Sequence, residues 1–145
     1  MSEQNINIKC VLLADRNHGL TEGIRGLLET LFDAVVMVAD ETSLQESAVR
    51  LQPSVTVMDL ALVRGEGLGV IRRLRARCPG QALVVLSQHD EASACRACLE
   101  AGANAVVLKH AIATDLLPAI EAVQTGRSFV SPTVHPLPPT DENKP

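Results

Sequence analysis

The stretch VLLADRN, Val11 to Asn17, passes from four apolar residues straight into an acid, a base and an amide. An apolar run this short reads as a strand buried on both faces, and polar residues just past its end lie at the carboxyl edge of a sheet. Ligands of open α/β sheets bind along that edge. Asp15 is therefore a candidate site residue, and Arg16 beside it is a charge that the site must accommodate.

The same punctuation recurs along the chain. Val55 to Met58 ends on Asp59, ALVVL (Ala82 to Leu86) ends on Ser87, and AVVL (Ala105 to Leu108) ends on Lys109. With Lys9 to Ala14 and Ala34 to Ala39 these are five apolar runs, alternating with five segments able to form helices. That alternation predicts an α/β domain, a parallel sheet covered by helices on both faces. Leu20, Ile24, Leu27, Leu28 and Leu31 recur at helical spacing after the first strand. Thr42 or Ser43 is expected to cap the second helix, and Pro53 to end it. In GVIRRLRARC, Val70, Ile71 and Leu74 face inward and Arg72, Arg73, Arg75 and Arg77 form a solvated face. The fourth helix spans about Glu91 to Ala101 and stops at Gly102; Thr114 or Asp115 opens the fifth, with Pro118 in its first turn and Gly126 at its close.

A chain of 145 residues is the size of one domain. The expected division is an N-terminal extension at 1–8, the domain at 9–130 and a Pro-rich polar tail at 131–145. With no Trp, no Tyr and only Phe32 and Phe129, the core must be aliphatic, and stacking on bases or flavins is disfavoured. A net charge of -4 and a pI near 5.5 argue against a surface that neutralises phosphates, so direct nucleic-acid binding by this chain is not expected. Neither a signal peptide nor a membrane-length apolar run is present, which predicts a cytoplasmic protein. Cys10, Cys78, Cys95 and Cys98 read as small hydrophobes, and the C-x-x-C pair lacks a second pair of ligands for a metal.

Asp15, Asp59, Ser87 and Lys109 would gather at one carboxyl edge. A carboxylate can attack a phosphoryl group, a second can help hold Mg²⁺, and a hydroxyl and an ammonium can bind the transferred oxygens. Through VLLAD, VTVMDLALVRGEG, LVVLS and VVLK the sequence resembles the response-regulator (CheY-like) receiver family, and its ending GRSFVSP resembles the close of NarL/LuxR-type receivers. The resemblance implies a flavodoxin-like three-layer fold with five parallel strands in order 2-1-3-4-5. It implies Asp59 as phosphoacceptor, Ser87 as switch hydroxyl and Lys109 as phosphoryl-binding cation. Asp15, Asp59 and the backbone carbonyl of Ala61 would hold Mg²⁺. The implied partners are a sensor histidine kinase or small phosphodonor, a downstream protein, and a second copy meeting at the fourth helix, fifth strand and last helix, a surface expected to include Cys95 and Cys98.

The sequence departs from the family at telling places. Arg16 stands where the family has a second acid, Leu62 and Val63 replace a Met-Pro pair, and Val106 replaces the aromatic switch residue. A guanidinium about 5 Å from a divalent cation opposes it by roughly 6 to 7 kcal/mol at an effective dielectric near 20. Weak Mg²⁺ binding is expected, with Arg16 forking onto Asp15 or Asp59 in the metal's stead. NarL/LuxR-type regulators continue into a helix-turn-helix domain, and no such domain is expected in this sequence. The alternatives are a degenerate receiver acting without phosphorylation and, more remotely, a nucleotide- or flavin-binding enzyme built on GEGLG, Gly65 to Gly69. That motif follows the third strand instead of the first, so a non-enzymatic signalling module is the favoured reading. His18, His89 and His110 follow strand ends and are read as solvated loop residues with access to the acidic site.

Overall fold

A computed structural model describes residues 9–132. The expected extension at 1–8 and the tail from 133 onward lie outside the described residues. Six strands form one parallel sheet: β1 (Cys10–Ala14), β2 (Ala34–Val38), β3 (Val55–Asp59), β4 (Leu83–Ser87), β5 (Ala105–Leu108) and β6 (Phe129–Val130), in the order β2-β1-β3-β4-β5-β6. Five helices connect them: α1 (His18–Leu28), α2 (Glu41–Leu51), α3 (Gly67–Arg77), α4 (Ala92–Ala101) and α5 (Ile112–Gln124).

The 2-1-3-4-5 order is as expected, and β6 extends it by one short edge strand. The extra strand follows from local pairing. Phe129 and Val130 align with Ala105 and Val106, after which the Ser131 N–H donates to the Val106 carbonyl and the Ser131 hydroxyl accepts from the Leu108 N–H at 3.1 Å. Ser131 is buried, so the packed unit reaches one residue past the boundary expected at 130.

Strand alternation divides the core into two layers. Leu12, Ala14, Met58, Val85, Val106 and Leu108 pack against α2, α3 and α4. Val11, Leu13, Val57, Val84, Leu86 and Val107 pack against α1 and α5. Because β1, β3, β4 and β5 are covered on both faces, they read as unbroken apolar runs.

Several local expectations need correction. Asp40 caps α2, its carboxylate accepting from the Ser43 N–H at 2.7 Å, because it immediately precedes the first helical residue while Thr42 and Ser43 lie inside the helix. Leu31 falls beyond α1 and is 43% exposed. The chain turns there: the Thr30 hydroxyl donates to the Leu27 carbonyl, and Phe32 takes the buried position. α5 begins at Ile112, after a 3₁₀ turn at Lys109–Ala111, so Pro118 lies in its second turn. The ring is exposed, leaving the Thr114 carbonyl it cannot serve on the wet side of the helix.

Arg75 does not belong to the solvated face. Its guanidinium donates to the carbonyls of Gly102, Cys78, Pro79 and Gln81 and to Asn104 Oδ1. It thereby fastens the end of α3 to the end of α4, and burial pulls its pKa down. The sequence pattern could not separate it from Arg72 and Arg73, since all three carry the same charge on one helix.

Candidate functional site

The register of the sheet builds the site. Ala14 pairs with Met58 and Asp59 with Leu86, so Asp15 and Asp59 follow as neighbours at the ends of β1 and β3. Ser87 pairs with Leu108, which places Lys109 one step past Ser87 on the next strand. The structure thus brings all four residues to one edge. Lys109 Nζ lies 2.8 Å from Asp59 Oδ1, and the Ala61 N–H donates to the same oxygen at 3.0 Å.

Asp15, Asp59 and Ser87 are buried at this edge. The Asn17 N–H donates to Asp15 Oδ1 at 2.8 Å, and Asn17 Oδ1 in turn accepts from the Leu20 N–H at the start of α1. Asp15 Oδ2 has no hydrogen-bond partner among the described residues. Burial pushes the Asp15 carboxyl above the ordinary carboxylate range; the Asn17 N–H opposes this, the neighbouring Asp59 adds to it, and Lys109 opposes it further. The Ser87 hydroxyl accepts from the His89 N–H at 3.0 Å, so it is held within the β4–α4 turn.

Arg16 is exposed and lines the same cavity as Asp59 and Lys109. It makes no ion pair with Asp15 or Asp59, contrary to the expected fork. Lys109 already occupies Asp59, while the Asx turn from Asp15 to Asn17 holds Asp15. Val106 is fully buried in the layer facing α4, with no aromatic group in its place.

The cavity, about 810 Å³, also reaches Arg64, Glu66 and Arg72, none of which was singled out for the site. Arg64 and Glu66 are visible in VRGEG and Arg72 in the basic run of α3, but charge in a loop or on a helix gives no direction until the chain is folded. Gly65 sits at φ +76°, and a Cβ on Gly67 would overlap the Leu60 carbonyl, so these glycines serve the turn and the close packing of the loop. His89 lines the cavity, whereas His110 is exposed in the turn after β5 and His18 opens α1. Cys95 and Cys98 are buried on α4 with free thiols, so they do not lie on the partner surface expected to contain them. Burial pushes the Cys98 thiol up to about 11.

Comparison with known proteins agrees with this geometry. The family described as "Response regulator receiver domain" matches residues 11–121. The transcriptional regulatory protein DegU of Brevibacillus brevis is 30% identical over 137 residues, covering 92% of this chain and 58% of that protein. A two-component response regulator of the LuxR family from Aurantimonas superposes with a TM-score of 0.78 at 27% identity, covering 87% of this chain and 91% of that one. RcsB from Salmonella enterica, solved bound to the promoter P1flhDC in the presence of phosphomimetic BeF3-, gives 0.73 at 29% identity, covering 85% of this chain and 62% of that one.

The chain thus spans about 58% of the length of DegU. The expectation of no direct nucleic-acid binding by this chain is corrected by RcsB, a relative solved bound to promoter DNA. Net charge and pI sum over a whole chain, and they do not decide whether a local surface contacts DNA. No helix among the described residues is long and apolar enough to cross a membrane. With the family matched across most of its length and the four strand-end residues assembled at one edge, the chain belongs to the response regulator receiver domain family of two-component systems.

Proposed function

We propose that this receiver accepts a phosphoryl group on Asp59 from a histidine kinase or a small phosphodonor. The observation that carries the reading is the Lys109–Asp59 contact of 2.8 Å at a buried strand end. Lys109 and the Ala61 N–H both hold Oδ1, which leaves Oδ2 as the oxygen that forms the bond to phosphorus while the donor's own bond breaks. Ser87 and Lys109 would then bind the phosphoryl oxygens, a positioning and charge-balancing role. A related receiver, that of RcsB, has been solved with the phosphomimetic BeF3-.

Mg²⁺ suits the residues present. Asp15 and Asp59 supply two carboxylates, the Ala61 carbonyl a third oxygen, and Asp15 Oδ2 is buried with no partner of its own. Mg²⁺ commonly leans on one or two carboxylates and keeps several waters. When bound, it would neutralise charge on the transferring group. Arg16 lowers affinity for it by repulsion alone, screened because the side chain is exposed.

Intact-mass analysis after incubation with Mg²⁺ and a small phosphodonor tests this reading. The native chain gains the mass of one phosphoryl group and Asp59→Asn gains none. An unmodified native chain at saturating Mg²⁺ would favour the phosphorylation-independent receiver instead.

A further inference from the structure

We propose that the cavity beside Asp59 binds a small oligophosphate anion without Mg²⁺, held by Arg16, Arg64 and Arg72. The inference goes beyond phosphoryl acceptance and does not depend on it. Its volume of about 810 Å³ lies within the range of small-molecule sites and far exceeds what one phosphoryl group fills.

Charge gives the ligand its sign. Arg16, Arg64, Arg72 and Lys109 line the cavity against Asp59 and Glu66, four cations to two carboxylates, in a chain whose net charge is -4. Lys109 is neutralised by Asp59. The three arginines form no ion pair among the described residues, and all three are exposed. Arg25 pairs with Glu22 and Glu29, Arg73 with Glu41, and Arg75 with backbone carbonyls, while the exposed Arg50, Arg77 and Arg96 lie outside this cavity, so it is the convergence of three unpaired guanidiniums on one concavity that sets the site apart. Positive charge opposite in sign to the whole chain, left unpaired around a concavity, concentrates anions there.

Geometry favours more than one phosphate. The three guanidiniums come from three separate segments, the turn after β1, the β3–α3 loop and α3 itself, so they can address different groups of one ligand. Each offers a planar fork that matches phosphate oxygens bidentately. The first-turn residues of α3 also line the cavity, and no side chain caps that helix start, which adds free amide donors to the same wall. No Phe, Tyr or Trp lines the cavity, so recognition falls on the phosphate chain and not on a stacked base.

Titration calorimetry of the full chain in EDTA, with inorganic pyrophosphate as the probe, tests the proposal. One-site binding is expected, weakened about tenfold in each of Arg64→Ala and Arg72→Ala and unchanged in Arg50→Ala, an exposed arginine of α2 away from the cavity. Asp59→Asn, which abolishes phosphoryl acceptance, should bind pyrophosphate as tightly as the native chain or more tightly, which separates this site from that chemistry. ADP binding as well as pyrophosphate would assign the diphosphate end of a nucleotide, and ADP failing to bind would assign the free anion. Binding that requires Mg²⁺, that is equal for orthophosphate and pyrophosphate, or that survives in the Arg64→Ala/Arg72→Ala double variant would overturn the proposal, as would no binding at millimolar pyrophosphate.

Discussion

Lys109 Nζ and Asp59 Oδ1 meet at 2.8 Å although β4 lies between their strands, so the ammonium reaches across the end of a whole strand to balance the carboxylate. The pair is well shielded, with the two side chains 22% and 7% exposed. Removing the cation leaves Asp15 and Asp59 as neighbouring buried carboxylates. Lys109→Ala should therefore lose about 1 to 3 kcal/mol of stability, less than for a fully buried pair because Lys109 keeps some contact with water. Urea unfolding checks this, and the loss should shrink in the Lys109→Ala/Asp59→Asn double variant.

Asp15 sets a pH dependence of opposite sign to that of an ordinary salt-bridged acid. Its carboxyl is raised from 3.8, chiefly by burial, so the fold prefers it protonated. Its stabilising contribution is present below pH 3.8 and is lost as pH rises through its folded value. Asp15→Asn keeps the oxygen that accepts from Asn17 and replaces the unpartnered Oδ2 with a donor. It should stabilise the chain at pH 7 by on the order of 1 kcal/mol, the cost of an unsatisfied buried group, and the gain should vanish in acid. Thermal unfolding of both proteins from pH 3 to 7 measures the difference.

Arg75 joins two helices through a single guanidinium, so its loss should be disproportionate for a helix-surface residue. Arg75→Ala should cost about 2 to 4 kcal/mol, leaving the Gly102 and Gln81 carbonyls without this donor and Asn104 Oδ1 with only the Leu83 N–H. Arg75→Lys should recover less than half, because an ammonium cannot span acceptors on both turns at once. Chemical denaturation of the two variants beside the native chain decides between them.

The fold was readable because strands buried on both faces advertise themselves as short apolar runs, and the polar residue that ends each run marks one edge. β6 was not readable: two residues of edge strand carry no periodicity, and Ser131 gains meaning only from the Leu108 and Val106 groups it satisfies. Asp15, Asp59, Ser87 and Lys109 could be placed from the sequence because strand register fixes them. Arg64 could not, since the path of the β3–α3 loop depends on Gly67 closing against Leu60, and Arg72 could not, since it shares α3 with Arg73 and Arg75, which turn to other partners. Arg16 departs from the expected fork for a related reason. The Asx turn through Asn17 is a local hydrogen bond that competes with the attraction of a guanidinium for two carboxylates.

Arg16 lines the cavity without pairing to either acid, so its effect on a divalent cation is repulsive and mutable. Arg16→Asp should raise Mg²⁺ affinity at least tenfold, a difference of about 1.4 kcal/mol, and should weaken pyrophosphate binding in the same protein. Calorimetric titration of each ligand into native and variant chains gives both numbers. Equal Mg²⁺ affinity would mean that Arg16 is fully screened by solvent.

Asp59 itself is expected to carry the phosphoryl group, and borohydride trapping identifies the acceptor by position. Reduction of an aspartyl phosphate converts that residue to homoserine, which peptide mass spectrometry locates. After incubation with a small phosphodonor and Mg²⁺, homoserine should appear at position 59 in the native chain, and at lower Mg²⁺ concentration in Arg16→Asp. Homoserine at position 15, or none in either protein at saturating Mg²⁺, would rule out Asp59 as the phosphoacceptor.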